Sequence, residues 1–187
     1  YGDDNRIKSS DETTFTHDAN GNRIKEENAQ IINYTYNAED QLIDISGSKD
    51  IQYAYDGLGN RLKRTAGGEE TRYVLDVNQR NSNVIAETDS SGNVQSYYVY
   101  GLGLQYKISS DGSLYSYHYD RRGSTIAITD GSGDIKNKYA YSPLGIITSS
   151  SEQINNLFGF VGRYGIMEEG DGLKYMRARY YDAETGR

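Results

Sequence analysis

Aromatic residues spaced two apart recur along this chain, each couplet followed by a polar turn and then a short aliphatic run. The couplets are Phe15-Thr-His17, Tyr34-Thr-Tyr36, Tyr53-Ala-Tyr55, Tyr73-Val-Leu75, Tyr98-Val-Tyr100, Tyr117-His-Tyr119, Tyr139-Ala-Tyr141 and Phe158-Gly-Phe160, with His17 filling a tyrosine slot. They are 19, 19, 20, 25, 19, 22 and 19 residues apart. A period near 20 held over eight units marks a repeat protein and argues against an ordinary single-core α/β enzyme.

Each unit has an internal grammar. The couplet is followed by DANGN (18–22), NAEDQ (37–41), DGLGN (56–60), DRRGS (120–124) or SPLG (142–145). An aliphatic strand comes next, such as RLKR (61–64) or TIAIT (125–129), and then a second turn such as GSKD (47–50), GGEE (67–70), DSSGN (89–93), SDGS (110–113) or DGSGD (130–134). Asp, Asn and Gly suit tight turns, because they tolerate positive φ and their side chains bond nearby backbone. Two short runs, each closed by a turn, predict a β-hairpin per unit. No segment predicts a helix; the least regular stretch, 149–156, has room for one turn.

Period-2 geometry sends both rings of a couplet to one sheet face and the middle residue to the other. Tyr36, Tyr55, Tyr100 and Tyr119 are thereby expected to form a cross-strand ladder, each aromatic pair contributing roughly 0.2–1 kcal/mol. The structural repeat positions are Tyr34, Tyr36, Tyr53, Tyr55, Asp56, Gly59, Arg61, Tyr98, Tyr100, Tyr117, Tyr119, Asp120, Gly123, Tyr139 and Tyr141. Asp18 to Arg23 and Asp56 to Arg61 share a spacing of five. Asp starts the turn, and Arg leaves it placed to pair with a carboxylate or lie over a ring. Loss of these charges in other copies, as at Asn37, Gln41 and Ser124, fits a distributed scaffold role better than a catalytic one.

Composition sharpens this picture. The chain has 187 residues, of which 10 Leu, 16 Ile, 6 Val and 3 Phe total only 35, while 19 are Tyr. So few aliphatic residues would suggest disorder in a charged chain, but tyrosine buries a large ring and keeps a hydroxyl for water or a partner. The composition predicts a thin wall with both faces wet, stabilised by many neighbouring units. The net charge is −7, with 20 Lys+Arg against 27 Asp+Glu and no long basic run, so phosphate-driven nucleic-acid binding is not expected. No run of 18 apolar residues predicts a membrane span, and no secretory signal is present. With no cysteine, disulfides and thiolate metal sites are excluded. YGDDNRIK at the start is repeat-like, which predicts that the segment comes from a longer strip.

Candidate chemistry is sparse. His17 and His118 have no GxSxG elbow to serve. Asp18-Ala-Asn20-Gly-Asn22 imitates the opening of a calcium loop, but Arg23 stands where Gly is needed and Ala29 where Glu is needed. DGSGD (130–134) lacks the nonapeptide period of a calcium β-roll. GLGL (101–104) and DGLGN (56–60) lack the lysine and helix of a nucleotide loop and predict hairpin turns. Outward tyrosines stacked on sugar rings make an adhesin or glycan-binding module the rival reading, with the doublets Tyr97-Tyr98 and Tyr180-Tyr181 its first candidates. No catalytic, cofactor-binding or metal-binding residue is assigned, and no cofactor is expected.

Units of the form YxYDxxGNRL resemble the YD repeats of Rhs proteins, Tc-toxin C components, bacterial wall-associated polymorphic toxins and teneurins. The resemblance covers the whole chain. It is most specific in GSTIAITDGSGDIKNKYAYSPLGII (123–147) and GLKYMRARYYDAETGR (172–187), which look like the Rhs repeat-associated core. The core signature comprises Tyr175, Arg177, Arg179, Tyr180, Tyr181, Asp182, Gly186 and Arg187. On this reading, residues 1–122 are YD-repeat hairpins and 123–187 the core-like region. The resemblance implies an all-β fold of repeated antiparallel hairpins, curved into part of a hollow spiral shell. It implies a non-enzymatic role enclosing a C-terminal toxic cargo, with neighbouring repeats of the same chain as partners. Surface glycans or secretion-apparatus proteins are further implied partners, and the implied location is secreted, cell-surface or delivered by a bacterial secretion system. The family's autoproteolytic aspartate motif is expected beyond Arg187, so Asp182 is not assigned that role.

Overall fold

The computed structural model describes residues 6–78, 81–169 and 172–187. Among the described residues it is all-β apart from one 3₁₀ turn at Gly162–Tyr164. The chain packs as two compact units, Tyr1–Thr71 and Arg72–Arg187.

The first unit holds β1 (Ser9–Ser10), β2 (Thr13–His17), β3 (Arg23–Glu27), β4 (Ile31–Tyr36), β5 (Leu42–Gly47), β6 (Ile51–Tyr55) and β7 (Arg61–Ala66). Each strand pairs antiparallel with its neighbour in sequence. Strand β8 (Glu69–Asp76) carries the chain into the second unit. There β9 (Asn83–Thr88), β10 (Val94–Gly101), β11 (Gly103–Ser109), β12 (Leu114–Tyr119), β13 (Thr125–Asp130), β14 (Ile135–Tyr141) and β15 (Ile147–Glu152) continue the same neighbour-to-neighbour pairing. A separate small sheet joins β16 (Met167–Glu168), β17 (Leu173–Tyr175) and β18 (Tyr180–Asp182). Short loops and period-2 strands thus generate hairpin after hairpin.

Two expectations need correction. Residues 149–152 are the end of β15, not a helical turn. Phe158-Gly-Phe160 is not a strand couplet; it lies in loop and turn, with both rings buried. No hairpin turn follows it to close an eighth unit, so these rings pack against the sheet rather than extend it.

Within the strands the couplets behave consistently. The first ring is buried at Phe15, Tyr34, Tyr53, Tyr73, Tyr98, Tyr117 and Tyr139. Tyr36, Tyr55, Tyr100, Tyr119 and Tyr141 are half-buried, while Thr35, Val99, His118 and Ala140 between the rings are exposed. Tyr117 stacks on Tyr119 with centroids 6.1 Å apart, and Tyr139 on Tyr141 at 6.2 Å.

A β-bulge precedes the second position of each of these couplets, as at Thr35/Tyr36, Ala54/Tyr55 and His118/Tyr119. Tyr55 pairs with Arg61 and Ala54 with Lys63, so Leu62 is the extra residue. Bulges re-aim side chains and add twist. Here the bulge turns Arg61 inward, 1% exposed, and leaves Leu62 40% exposed. Arg61 lies over the Tyr53 ring at 5.1 Å, and Arg23 over Phe15 at 4.4 Å. The guanidinium thus caps the aromatic face that a purely hydrophobic pattern would have covered with leucine.

The turns are built by their first residue. Asp56 accepts from the backbone N–H of Leu58 and Asn60 through Oδ1 and from Asn60 Nδ2 through Oδ2, each at 2.9 Å. Asp89 does the same with Ser91 and Asn93. Where the charge is lost, Asn37 still accepts from Gln41 N at 2.9 Å. Gly59 follows at φ 85, the conformation in which a Cβ is costly. Asp40 takes the equivalent place at φ 57, a region that Asp tolerates better than most residues.

These bonds favour the ionised carboxylate. The bond from Asn60 holds Asp56 below the ordinary value of 3.8, and that from Asn93 does so for Asp89. The backbone bond from Ser113 acts on Asp111, and the bond from Lys136 on Asp130. The unfolded chain therefore binds more protons in acid, so this stabilisation is present above pH 3.8 and is lost as pH falls through the lower folded values. Thermal midpoints measured from pH 5 to 2 are expected to fall steeply below pH 4. The Asp56→Asn, Asp89→Asn double variant is expected to show a shallower fall.

Candidate functional site

The aromatic face of the second unit is covered by the chain that follows β15. Phe158, Phe160, Ile166, Met167, Leu173, Tyr175 and Ala183 are buried. Phe158 is fully enclosed and meets Tyr98 edge-on at 4.9 Å. The expectation of two wetted faces fails here at the first ring of each couplet, Tyr98, Tyr117 and Tyr139, which the cover buries.

Polar side chains on the sheet hold this cover in place. Asn137 is fully buried and accepts from Gln153 N at 3.0 Å and Ile154 N at 3.1 Å. Its Nδ2 donates to Ile154 O and to the Tyr139 hydroxyl at 2.8 and 2.7 Å. Lys107 Nζ donates to Asn155 O at 2.7 Å, and the Tyr117 hydroxyl to Asn156 Oδ1 at 3.0 Å. Thr125 Oγ1 donates to Phe158 O at 2.6 Å, and Ser124 Oγ accepts from Val161 N at 3.1 Å. Buried polar groups need such partners, and here each serves two segments at once.

Lys107 shares its interior with Glu87. The Tyr98 hydroxyl donates to Glu87 Oε2 at 2.7 Å. Burial pushes the Glu87 carboxyl up, opposed by the Tyr98 bond and the Lys107 charge. Burial pushes Lys107 down, opposed by Glu87. Burial also pushes the Tyr139 phenol up to about 12. The buried tyrosines of this face are neutral at physiological pH.

The cover also crosses hairpin turns at their glycines. A Cβ on Gly103 would come within 2.7 Å of Arg163, one on Gly123 within 2.6 Å of the Tyr164 ring, and one on Gly145 within 2.7 Å of the Phe160 ring. All three have positive φ. Arg163 N donates to Gly123 O at 3.0 Å, fastening the 3₁₀ turn to the β12–β13 hairpin.

The core-signature residues are distributed around this cover. Tyr175 is buried, with its ring 5.3 Å from that of Tyr180. The Tyr181 hydroxyl donates to Leu144 O at 3.0 Å. Arg177 has φ 63 and donates to Ser82 O at 2.9 Å, Asn83 Oδ1 at 3.3 Å and Tyr164 O at 2.9 Å. Arg179 is exposed. Asp182 starts a turn, accepting from Glu184 N and Thr185 Oγ1, with Gly186 at φ 71 and Arg187 N bonded to Asp182 O.

Sequence reasoning did not single out Asn137, Thr125, Lys107 or Glu87. A signal was present: Thr125 stands in the slot of Arg61, and Ser124 in that of Asn60. Where the repeat departs from its own pattern, it receives the cover.

Among the described residues no group of three or more His, Asp or Glu could hold a metal ion. His118 Nε2 lies 2.9 Å from Thr129 Oγ1 on the exposed face.

Comparison with known proteins agrees with this architecture. The Teneurin YD-shell family matches residues 1–187. The tRNA3(Ser)-specific nuclease WapA of Bacillus spizizenii and the tRNA nuclease WapA of Bacillus subtilis strain 168 are each 33% identical over 97% of this chain. The chain spans only 8% of the length of these relatives. Among solved structures, the TcdB2-TccC3-Cdc42 crystal structure superposes with a TM-score of 0.60 at 15% identity, over 83% of this chain and 9% of that one. The Photorhabdus luminescens Tc holotoxin pore gives 0.60 at 14% identity, over 91% of this chain and 11% of that one. At such identities the likeness is one of fold. With the hairpin repeat, the bulged tyrosine couplets and the match along its full length, the chain belongs to the Teneurin YD-shell family.

Proposed function

We propose that this chain is a wall segment of a polymorphic-toxin shell that encloses a polypeptide encoded in the same gene. The mechanism is exclusion: a continuous hydrogen-bonded wall keeps an enclosed chain from proteases and from its targets. The observation that carries this reading is that buried side chains of the second unit, among them Lys107, Tyr117, Thr125 and Asn137, hold the wall and its cover together. Residues 1–122 supply repeat hairpins, and 123–187 the core-like region, whose part beyond β15 makes the cover. The nuclease activity named for the WapA relatives is assigned to sequence outside this stretch. Secretion or delivery by a bacterial system follows from the same reading. Of the first candidates for the glycan-binding alternative, Tyr98 is buried against Phe158 and offers no face to a sugar, whereas Tyr97 is exposed.

The test is deletion of this segment from the longer protein that carries it. The enclosed polypeptide is expected to become protease-sensitive and harmful to the producing cell. An enclosed polypeptide that stays equally resistant and harmless after the deletion would contradict containment.

A further inference from the structure

A cleft of about 590 Å³ opens between Asp76, Asn81 and Asn83, the β10–β11 turn and the 3₁₀ turn. Its chemistry is carried by Tyr100, Arg163 and Arg177, with Tyr98 and Tyr164 among its walls. Three observations bear on what it could hold.

The first is an unused donor. In two sister units the second tyrosine gives its hydroxyl to a backbone carbonyl, Tyr55 to Leu42 O at 2.7 Å and Tyr119 to Leu104 O at 2.8 Å. The Tyr100 hydroxyl, like that of Tyr141 in a third unit, is enclosed and has no hydrogen-bond partner. An enclosed, unsatisfied hydroxyl is uncommon and asks for an acceptor.

The second is a pair of arginines with no carboxylate at ion-pair distance among the described residues. Arg177 commits Nε and Nη2 to Ser82, Asn83 and Tyr164, leaving Nη1 unengaged. Arg163 commits Nε to Leu102 O at 3.0 Å, with its guanidinium 5.8 and 5.9 Å from the ring centroids of Tyr119 and Tyr164. In a chain of net charge −7, two half-buried guanidiniums held by neutral groups stand out. The third is backbone strain: Arg177 sits at φ 63, a region unfavourable for its residue type and typical of ligand clamps.

We infer that this cleft binds a carboxylate, namely the aspartate or glutamate side chain of an extended polypeptide. Planar guanidinium forks match a carboxylate, and a small side-chain shift that uncovers the Tyr100 O–H adds a further donor to the same oxygens. Asp76, also on the lining, accepts from Asn78 N at 3.0 Å and makes no ion pair with either arginine. Its negative charge penalises a phosphate dianion more than a singly charged carboxylate.

The test uses the whole chain in calorimetric titrations with acetyl-alanyl-aspartyl-alanine amide, its asparaginyl counterpart, acetate and inorganic phosphate. The aspartyl peptide is expected to bind at least about tenfold more tightly than the asparaginyl one, the effect of charge-assisted bonds. Tyr100→Phe is expected to weaken it about fivefold, the loss of one hydrogen bond, with the thermal midpoint unchanged. Acetate competing at high concentration supports recognition of the carboxylate itself. Absence of binding, equal binding of the two peptides, an unaffected Tyr100→Phe variant, or phosphate binding as tightly as the aspartyl peptide would each overturn the assignment.

Discussion

Phe158→Ala is expected to destabilise the second unit by about 4 kcal/mol, in the range for a phenylalanine removed from a packed core. The side chain is fully enclosed and meets Tyr98 edge-on at 4.9 Å. Its neighbours cannot collapse freely, since Tyr98 is fixed to Glu87 and the Phe158 carbonyl is held by Thr125. Truncation would open a void between sheet and cover. Urea titrations followed by far-UV circular dichroism check the magnitude. Phe158→Leu is expected to cost well under half as much. A loss below about 1 kcal/mol for the alanine variant would mean that the cover is not packed as described.

The second large effect lies in the first unit. Gly47→Ala is expected to cost at least about 3 kcal/mol, combining backbone strain with a steric clash. Gly47 has φ 107, and a Cβ there would come within 2.2 Å of the Ile31 carbonyl oxygen. That oxygen also accepts from Ser48 N at 3.1 Å, so neither strand can move without breaking the β4–β5 ladder. Gly68→Ala is the control: φ is 84, but nothing lies within 4 Å. It is expected to cost about 1–2 kcal/mol, the strain alone. Equal costs for the two would show that strand approach at Gly47 is not limiting.

Much of the fold was legible because the repeat fixes both strand and turn. The couplets locate the strands, the Asx-type turns locate their ends, and period 2 sends both rings of a couplet to one face. The bulges were not legible, since an extra residue leaves no mark in a pattern of apolar positions. That is why Arg61 rather than Leu62 is buried. The cover was also hidden. Phe158-Gly-Phe160 imitates a couplet, and only the missing turn after it separates a covering segment from another hairpin. The polar anchors Asn137, Ser124 and Thr125 look ordinary in a chain rich in such residues. Their role depends on a segment up to 37 residues away in sequence, as for Ser124 and Val161.

The central claim is that residues beyond β15 seal the tyrosine face of the second unit as part of one cooperative structure. Amide hydrogen exchange measured residue by residue tests it most directly. The amides of Phe158, Phe160, Val161, Arg163 and Glu168, bonded to Asn156, Glu168, Ser124, Gly123 and Leu157, are expected to be as protected as the strand amides of β10–β14. Protected strands beneath a cover that exchanges like an exposed loop would contradict it.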